Sequence, residues 1–313
     1  MKSFSESLAV DIAEDVYSGL KAEISSEEPG IARILADYFT RRGKVVRPGF
    51  MHLIGTLLGG SWETMTSAAI VIEAIHMASL MHDDVMDDSP LRRGEATLNA
   101  QYSDKLSVMF GDLVFLKALD MARSIDDSRA PFVINQAVER MITGEICEEF
   151  NGSDIDENAY LKTIGDKTAS LFAASGELAA MLSGCDETRI SLTKSLGEYI
   201  GMAFQIVDDT LDFVGDTDVM GKPRHNDALS GSYTLPVIYA MRDKSNDEIE
   251  DLTSSTGNMD AIIALVRDGG GIEYAHDKAR EYSEKAREVY NQLGIADEHA
   301  FDEFLELLLE RVK

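Results

Sequence analysis

The chain has 313 residues, of which 29 are lysine or arginine and 56 are aspartate or glutamate, which gives a formal net charge of −27. Hydrophobic residues account for 44% of the chain, too large a share for a disordered acidic protein. This charge argues against a nucleic-acid backbone or an anionic membrane as the main partner, so a phosphate-bearing ligand would need local basic residues or metal ions.

The two cysteines, Cys147 and Cys185, are far apart and offer neither a disulfide framework nor the spacing of a metal site. The N-terminal segment is acidic and amphipathic, unlike a signal peptide. No uninterrupted apolar run approaches the ~20 residues of a membrane span. We therefore expect a cytoplasmic protein without a membrane span.

Apolar residues recur at helical spacing along the chain, as at Val71, Ile75 and Ala78, whereas strand patterns are nearly absent. This periodicity predicts helices at 4–25, 30–41, 47–58, 62–88, 97–124, 130–150, 157–182, 187–214, 234–243, 257–267, 270–292 and 296–312. Ser61 is the predicted N-cap of the fourth. No repeat or linker interrupts the pattern, so residues 1–313 are predicted to form one all-α domain.

Two of these helices carry the same pattern of aspartates: Asp83, Asp84 and Asp87 in one, and Asp208, Asp209 and Asp212 in the other. Positions i and i+4 lie on one helical face, so each segment presents two carboxylates side by side within an apolar helix. Their repulsion is tolerable if divalent cations neutralise it, and oxygen ligands favour Mg²⁺ over Zn²⁺. The alternative is that these acidic clusters are solvated helix faces, which is common for one such motif and less so for two with apolar flanks.

Basic residues accompany both aspartate segments. Arg92 and Arg93 follow the first, Lys44 and Arg47 begin another helix, and further lysines are Lys167 and Lys222. Helix N-termini favour anions, so this set predicts two anion sites, one with metal and one with only Arg, Lys and His.

The order GKxxRP, ExxHxxxLxHDDxxD…RRG, GD, GE, KT, FQxxDDxLD, GK…D and TLP resembles the trans-isoprenyl diphosphate synthases over residues 40–240. The resemblance implies an all-α, isoprenoid-synthase-type helical bundle around a deep central cavity, and a homodimer. It also implies a reaction that joins an allylic diphosphate to isopentenyl diphosphate, head to tail, with release of pyrophosphate.

The same resemblance assigns roles to individual residues. Metal ligands, for three Mg²⁺ ions with substrate bound, would be Asp83, Asp87 and Asp208, with Asp84, Asp209 and Asp212 binding through water or orienting the cluster. Arg92, Lys167 and Lys222 would contact the allylic diphosphate, and Lys44, Arg47, His76 and Arg93 the isopentenyl diphosphate. Thr168 and Gln205 would lie beside the reacting carbon. His76 has a second interpretation, as a satisfied core histidine.

The chain departs from the family pattern at Arg42, Glu148, His225 and Ser232, where the family commonly has Gly, Gln, Gly and Lys. Losing a lysine at a diphosphate site costs about 1–3 kcal/mol of charge-assisted bonding. Both aspartate motifs are untouched, so the enzyme interpretation stands.

Product length is expected to depend on what blocks the cavity below the first aspartates. Ala78 and Ser79 are small where short-chain family members carry an aromatic residue, and Ile75 continues the wall. One helical turn rises 5.4 Å, about one isoprene unit. We expect a heptaprenyl to octaprenyl product, unless Phe110 or Phe115 closes the floor and stops synthesis at farnesyl or geranylgeranyl length.

Three other functions remain open: a non-catalytic partner subunit of a synthase, a terpene cyclase or squalene-type condensing enzyme, and an acidic scaffold without chemistry. The first should have lost aspartates, and this chain keeps all six. The second does not need Lys44, Arg47 and His76. The third would show no metal-dependent stabilisation by a bisphosphonate.

Overall fold

The computed structural model describes residues 6–41, 43–151, 155–214, 233–253 and 259–309. The first half of this described chain contains α1 (Glu6–Ile24), α2 (Pro29–Tyr38), α3 (Val46–Leu57), α4 (Trp62–Met86), β1 (Leu91–Arg92), β2 (Glu95–Ala96), α5 (Leu98–Gln101), α6 (Asp104–Ala122) and α7 (Ala130–Asn151). The second half contains α8 (Glu157–Ile164), a π-helical segment (Gly165–Ala169), α9 (Ser170–Leu182), α10 (Glu187–Val214), α11 (Leu235–Met241), α12 (Asn246–Thr253), α13 (Met259–Asp268), α14 (Gly271–Gln292) and α15 (Glu298–Leu309). The fold class is all-α, as predicted.

Two long helices organise the bundle. α4 packs against α1, α3 and α6, and α10 packs against α9 and α14. The main hydrophobic core draws buried side chains from most of these helices, and two smaller clusters lie around α11. Both aspartate segments therefore lie at the ends of helices that the core holds rigidly.

Local sequence explains where α4 begins and ends. Ser61 caps it, as predicted, because its side chain accepts a hydrogen bond from the Thr64 amide at 3.2 Å. Asp87 is the C-terminal cap, with its amide bonded to the Asp83 carbonyl at 2.8 Å. Asp83 and Asp87 therefore remain one turn apart, although Asp87 lies just past the last helical residue.

α4 is also long and apolar enough to cross a membrane by length and composition alone, which the sequence analysis did not anticipate. In this fold 67% of its most apolar window is buried inside the protein. Its apolar character is explained by this position in the core.

The structure differs from the predicted elements in four places. The predicted helix 97–124 is broken between α5 and α6, because Ser103 caps α6 by accepting from the Leu106 amide. An antiparallel hairpin of two short strands, β1 and β2, precedes α5. The predicted helix 157–182 contains the π-helical segment, and α12 lies in a stretch for which no helix was predicted.

Candidate active site

A cavity of about 970 Å³ lies between the helices. On α4 its lining residues include Glu73, His76, Leu80 and Asp83, which recur every three or four positions and so form one helical face. α10 contributes a second face with the same spacing, which consists of Phe204, Gln205, Asp208 and Leu211. The carboxylates of Asp83 and Asp208, from the two aspartate segments, therefore face the same cavity.

Most of the basic residues predicted from the sequence also line this cavity: Lys44, Arg47, Arg92, Arg93 and Lys167. His76, Ser79, Thr168 and Gln205 line it as well. Lys222 and the departures at Arg42, His225 and Ser232 lie outside the described residues, as does the side chain of Asp212. Among the predicted site residues, Asp87, which is exposed just after α4, is absent from the lining, as are Ala78 and Ile75, which are fully buried.

The second aspartate of each segment is bonded to protein groups. Asp84 is 1% exposed and forms a close ion pair with Arg92. Asp209 is 7% exposed and accepts hydrogen bonds from the Tyr160 hydroxyl at 2.6 Å and from Gln205 Nε2 at 2.7 Å. These contacts suit an orienting role, because each carboxylate fixes a neighbour that faces the cavity.

Lys167 and Thr168 project from the π-helical segment, a geometry that often marks functional sites. The segment lies very close to α7 and α10: a Cβ added at Gly144 would lie 2.5 Å from the Lys167 nitrogen, and one at Gly201 would lie 2.5 Å from the Ala169 Cα. Glycine at both positions lets the backbones approach closely enough to place Lys167 in the cavity.

Lys167 is held by two carboxylates that the sequence analysis did not assign to the site. Its Nζ lies 2.9 Å from Glu145 and 2.5 Å from Glu148. Burial opposes the positive charge, but Glu148 and Glu145 outweigh it and raise the pKa of Lys167. Glu148, which stands where the family commonly has Gln, therefore adds a second negatively charged partner to this lysine.

The carboxyl groups of Asp83 and Glu145, at the acidic end of the cavity, resist ionisation. Burial, followed by the nearby charge of Glu145, raises the pKa of Asp83 to about 7, although Lys167 and Arg92 act in the opposite direction. Burial also raises the pKa of Glu145. A site in which carboxylates resist ionisation suits added cations, and its oxygen donors suit a hard ion such as Mg²⁺.

No three His, Cys, Asp or Glu side chains within the described ranges are close enough to hold a metal by themselves. Mg²⁺ usually takes one or two protein carboxylates and completes its octahedron with water and substrate phosphate. Asp83 and Asp208, which face one cavity from different helices, fit that mode of binding better than a closed all-protein site.

Among the remaining basic residues of the cavity, Arg47 lies near aromatic rings and near His76. Arg47 lies over the Phe172 ring, 4.8 Å from its centroid, and 6.0 Å from that of Phe204. Burial, with the positive charges of Arg47 and Arg93, lowers the pKa of His76 well below its ordinary value. His76 is therefore neutral at neutral pH and can donate one N–H.

Thr168 and Gln205 are joined directly. The Thr168 hydroxyl donates to Gln205 Oε1 at 2.7 Å, and Gln205 in turn donates to Asp209. The network continues to the Tyr160 hydroxyl, a residue that the sequence analysis missed because it lies 49 positions from Asp209.

Comparison with known proteins gives consistent matches over most of the chain. A family model described as polyprenyl synthetase matches residues 28–267. The chain is 33% identical to heptaprenyl diphosphate synthase component 2 of Geobacillus stearothermophilus, covering 94% of this chain and 93% of that protein. It is 31% identical to octaprenyl diphosphate synthase of Haemophilus influenzae, covering 90% of this chain and 88% of that protein.

Solved structures agree with these sequence matches. The crystal structure of geranylgeranyl pyrophosphate synthase from Lactobacillus brevis superimposes with a TM-score of 0.86 at 29% identity, covering 96% of both chains. The sequence relatives are named as heptaprenyl and octaprenyl synthases and the structural relative as a geranylgeranyl synthase, and the sequence matches favour the long-chain type.

Proposed function

This chain belongs to the polyprenyl synthetase family, and from that premise we propose that it elongates farnesyl or geranylgeranyl diphosphate with isopentenyl diphosphate. Each cycle would join the two head to tail and release pyrophosphate. One observation carries the proposal: a single cavity holds an acidic end, with Asp83 and Asp208, and a basic group without an aspartate, with Lys44, Arg47 and Arg93. A site with two distinct diphosphate subsites is what a condensation of two diphosphates needs.

At the acidic end, Asp83, Asp87 and Asp208 would hold Mg²⁺, and we expect three ions with substrate bound. When bound, Mg²⁺ supplies charge neutralisation for the allylic diphosphate and for the pyrophosphate that leaves. Asp84 and Asp209 orient neighbouring side chains through the bonds described above. Lys167 and Arg92 provide the protein's own cations, and Lys222 would add another from outside the described residues.

At the basic end, Lys44, Arg47 and Arg93 would bind isopentenyl diphosphate by charge, and the neutral His76 by one hydrogen bond. In the reaction, the allylic C–O bond breaks and the electron pair leaves with pyrophosphate. The double bond of the second substrate attacks the allylic cation to form the new C–C bond. A proton is then lost to the released pyrophosphate.

Thr168 and Gln205 would lie beside the reacting carbon. Because the Thr168 hydroxyl proton is directed to Gln205, the threonine oxygen presents its lone pairs away from that bond. Oxygen lone pairs held in place stabilise developing positive charge without reorganisation. These two residues would therefore stabilise the allylic cation, while the two diphosphates are bound at the acidic and the basic end of the cavity.

We further propose a product of heptaprenyl to octaprenyl length. The apolar side chains Met141, Ile142 and Ile146 of α7 line the cavity together with Ser79 and Leu80, so part of its wall suits an isoprenoid chain. The sequence relatives named above are heptaprenyl and octaprenyl synthases. A geranylgeranyl product is the second candidate, and Phe115 favours it because it lines the cavity.

The test is a product assay with farnesyl diphosphate, labelled isopentenyl diphosphate and Mg²⁺. We expect products of seven or eight isoprene units, and none in the presence of EDTA. Arrest at four units would assign the short-chain function. Product formation only after a second chain is added would make this protein a partner subunit, a result that the words "component 2" in one relative's name make worth testing. No product in any arm, with no metal-dependent bisphosphonate binding, would contradict the proposal.

The placement of Lys167 gives a prediction for α7. Gly144→Ala should lower kcat/KM by roughly 10–100-fold, because its Cβ would push the π-helical segment and Lys167 out of position. The free energy of unfolding should fall by about 1–3 kcal/mol through overpacking. Gly165→Ala is the matched control, since a Cβ there would meet only Met202 Sδ at 3.6 Å. Equal kinetics for the two variants, measured at steady state, would show that close approach is not needed.

We also propose that the enzyme is a cytoplasmic homodimer. α6 and α7 expose apolar side chains at helical spacing, among them Met109 and Leu116 on α6 and Phe132 and Ile146 on α7. Ile146 also lines the cavity, so a second copy seated on this face would complete the cavity wall. Exposed apolar surface of this kind marks an interaction site.

The dimer can be tested by light scattering. The wild type should have twice the chain mass of 34.4 kDa, and a Leu116→Glu, Phe132→Glu variant should have a single-chain mass. Val10→Glu, on α1 and 58% exposed, is the control and should remain dimeric. A wild type of single-chain mass would contradict the proposed assembly.

A further inference from the structure

The segment that precedes α3 brings Lys44 into the cavity in an unfavourable backbone conformation. Val45 has φ +44°, in the left-handed region that β-branched residues rarely adopt, and its side chain is 5% exposed. Such a conformation persists only where the surrounding structure holds it. The groups that hold this segment therefore bear on where Lys44 and Arg47 lie.

Two side chains, Tyr17 and Arg93, hold the segment. The Gly43 amide donates to the hydroxyl oxygen of Tyr17 at 2.8 Å. Arg93 Nη1 donates to the Arg41 carbonyl at 2.8 Å, and its guanidinium lies so close to Gly43 that a Cβ there would be 2.6 Å from Nη2. Arg93 faces the cavity, whereas Tyr17 approaches from α1 and does not line it.

Tyr17 is itself fixed by a buried carboxyl group. Its hydroxyl donates to Glu73 Oε1 at 2.9 Å, with Met77 Sδ at 3.9 Å as a weaker acceptor. Tyr17 is 1% exposed and Glu73 2%. Because the single hydroxyl proton goes to Glu73, the oxygen lone pairs remain available to accept the Gly43 amide.

Glu73 connects this pair to the site. It lies on the cavity face of α4, one turn from His76. Burial raises the pKa of Glu73, against the opposing effects of the Tyr17 hydrogen bond and the positive charges of Arg47 and Arg93. The chain of contacts thus runs from α1 through Tyr17 to both the segment carrying Lys44 and the carboxyl group near Arg47 and Arg93.

We infer that Tyr17 is a positioning residue for the basic diphosphate subsite: its hydroxyl ties Glu73 to the Gly43 amide and so fixes Lys44 and Arg47. This inference rests on the proposed function, in which that subsite binds isopentenyl diphosphate. Tyr17 contacts neither substrate. Its loss should weaken binding at one subsite only.

The test is Tyr17→Phe, which keeps the ring and removes the hydroxyl. We expect the KM for isopentenyl diphosphate to rise about tenfold, equivalent to ~1.4 kcal/mol, with the KM for the allylic diphosphate and kcat changed less than about twofold. Tyr290→Phe is the matched control, because Tyr290 is also 1% exposed and its hydroxyl donates to the Asp297 carbonyl at 2.6 Å. It should lose comparable stability with neither KM changed.

A double-mutant cycle with Glu73→Ala separates positioning from general destabilisation. The two substitutions act on one network, so their effects on the KM for isopentenyl diphosphate should be less than additive. An unchanged KM in Tyr17→Phe, or equal rises for both substrates, would overturn the inference. Absence of synthase activity in the wild type would instead contradict the proposed function.

Discussion

Asp83→Asn should lower kcat/KM by about a thousandfold or more, equivalent to ~4 kcal/mol of transition-state stabilisation. Asp83 faces the cavity from α4 and its carboxyl lies among Glu145, Lys167 and Arg92. An amide of the same shape keeps the packing but removes the charge that would hold cations against a diphosphate. Steady-state kinetics at several Mg²⁺ concentrations measure the effect, and excess Mg²⁺ should not restore the rate.

Asp88→Asn is the matched control for this variant. Asp88 lies just after α4, is exposed, does not line the cavity and has φ +47°, which asparagine also tolerates. We expect its kcat/KM to stay within about twofold of wild type. Equal losses in both variants would indicate a general effect of the acidic surface, and an active Asp83→Asn enzyme would contradict the assigned metal site.

Ser79→Phe should shorten the product by several isoprene units. Ser79 lines the cavity four residues, or one helical turn, deeper than Asp83, so a phenyl ring there would block the apolar depth that a growing chain would occupy. Chromatography of the products should show geranylgeranyl or shorter chains. Ser79→Ala, which stays small and loses only a hydrogen bond to the His76 carbonyl, should keep the wild-type products.

An unchanged distribution in Ser79→Phe would mean that this face of α4 does not guide the chain. The neighbouring Ala78, which the sequence analysis treated as the principal chain-length residue, is expected to behave differently. It is fully buried in the hydrophobic core, so Ala78→Phe should mainly cost about 1–3 kcal/mol of stability through overpacking.

Much of the fold follows from local sequence, because apolar periodicity and caps are read residue by residue. The bounds of α10 and the cap at Ser61 are examples. α12 was missed because its sequence, NDEIEDLT, is polar and presents little apolar periodicity. The π-helical segment was missed because no local pattern in the sequence indicates it, and its close approach to Gly144 of α7 is a contact between separate helices.

The candidate site likewise combines residues that local sequence reveals with partners that only the fold brings together. Asp83 and Asp208 stood out as acids inside apolar helices, and the family resemblance predicted that they share one site with Lys167. The partners that fix other carboxylates of the site come from far along the chain. Tyr160 bonds to Asp209, and Tyr17 bonds to Glu73. Glu73 carried a usable signal, a lone acid in the apolar run IVIEAIHM, whereas Tyr17 carried none.

The ion pairs of Lys167 have a consequence for which phosphate compounds the protein admits. A bare diphosphate would encounter repulsive carboxylates and a lysine already engaged by Glu145 and Glu148. A diphosphate that arrives with its own divalent ions brings the charge that loosens those pairs. At Lys167 we therefore expect a diphosphate to bind only together with divalent ions, whereas Lys44, Arg47 and Arg93 would bind one without them.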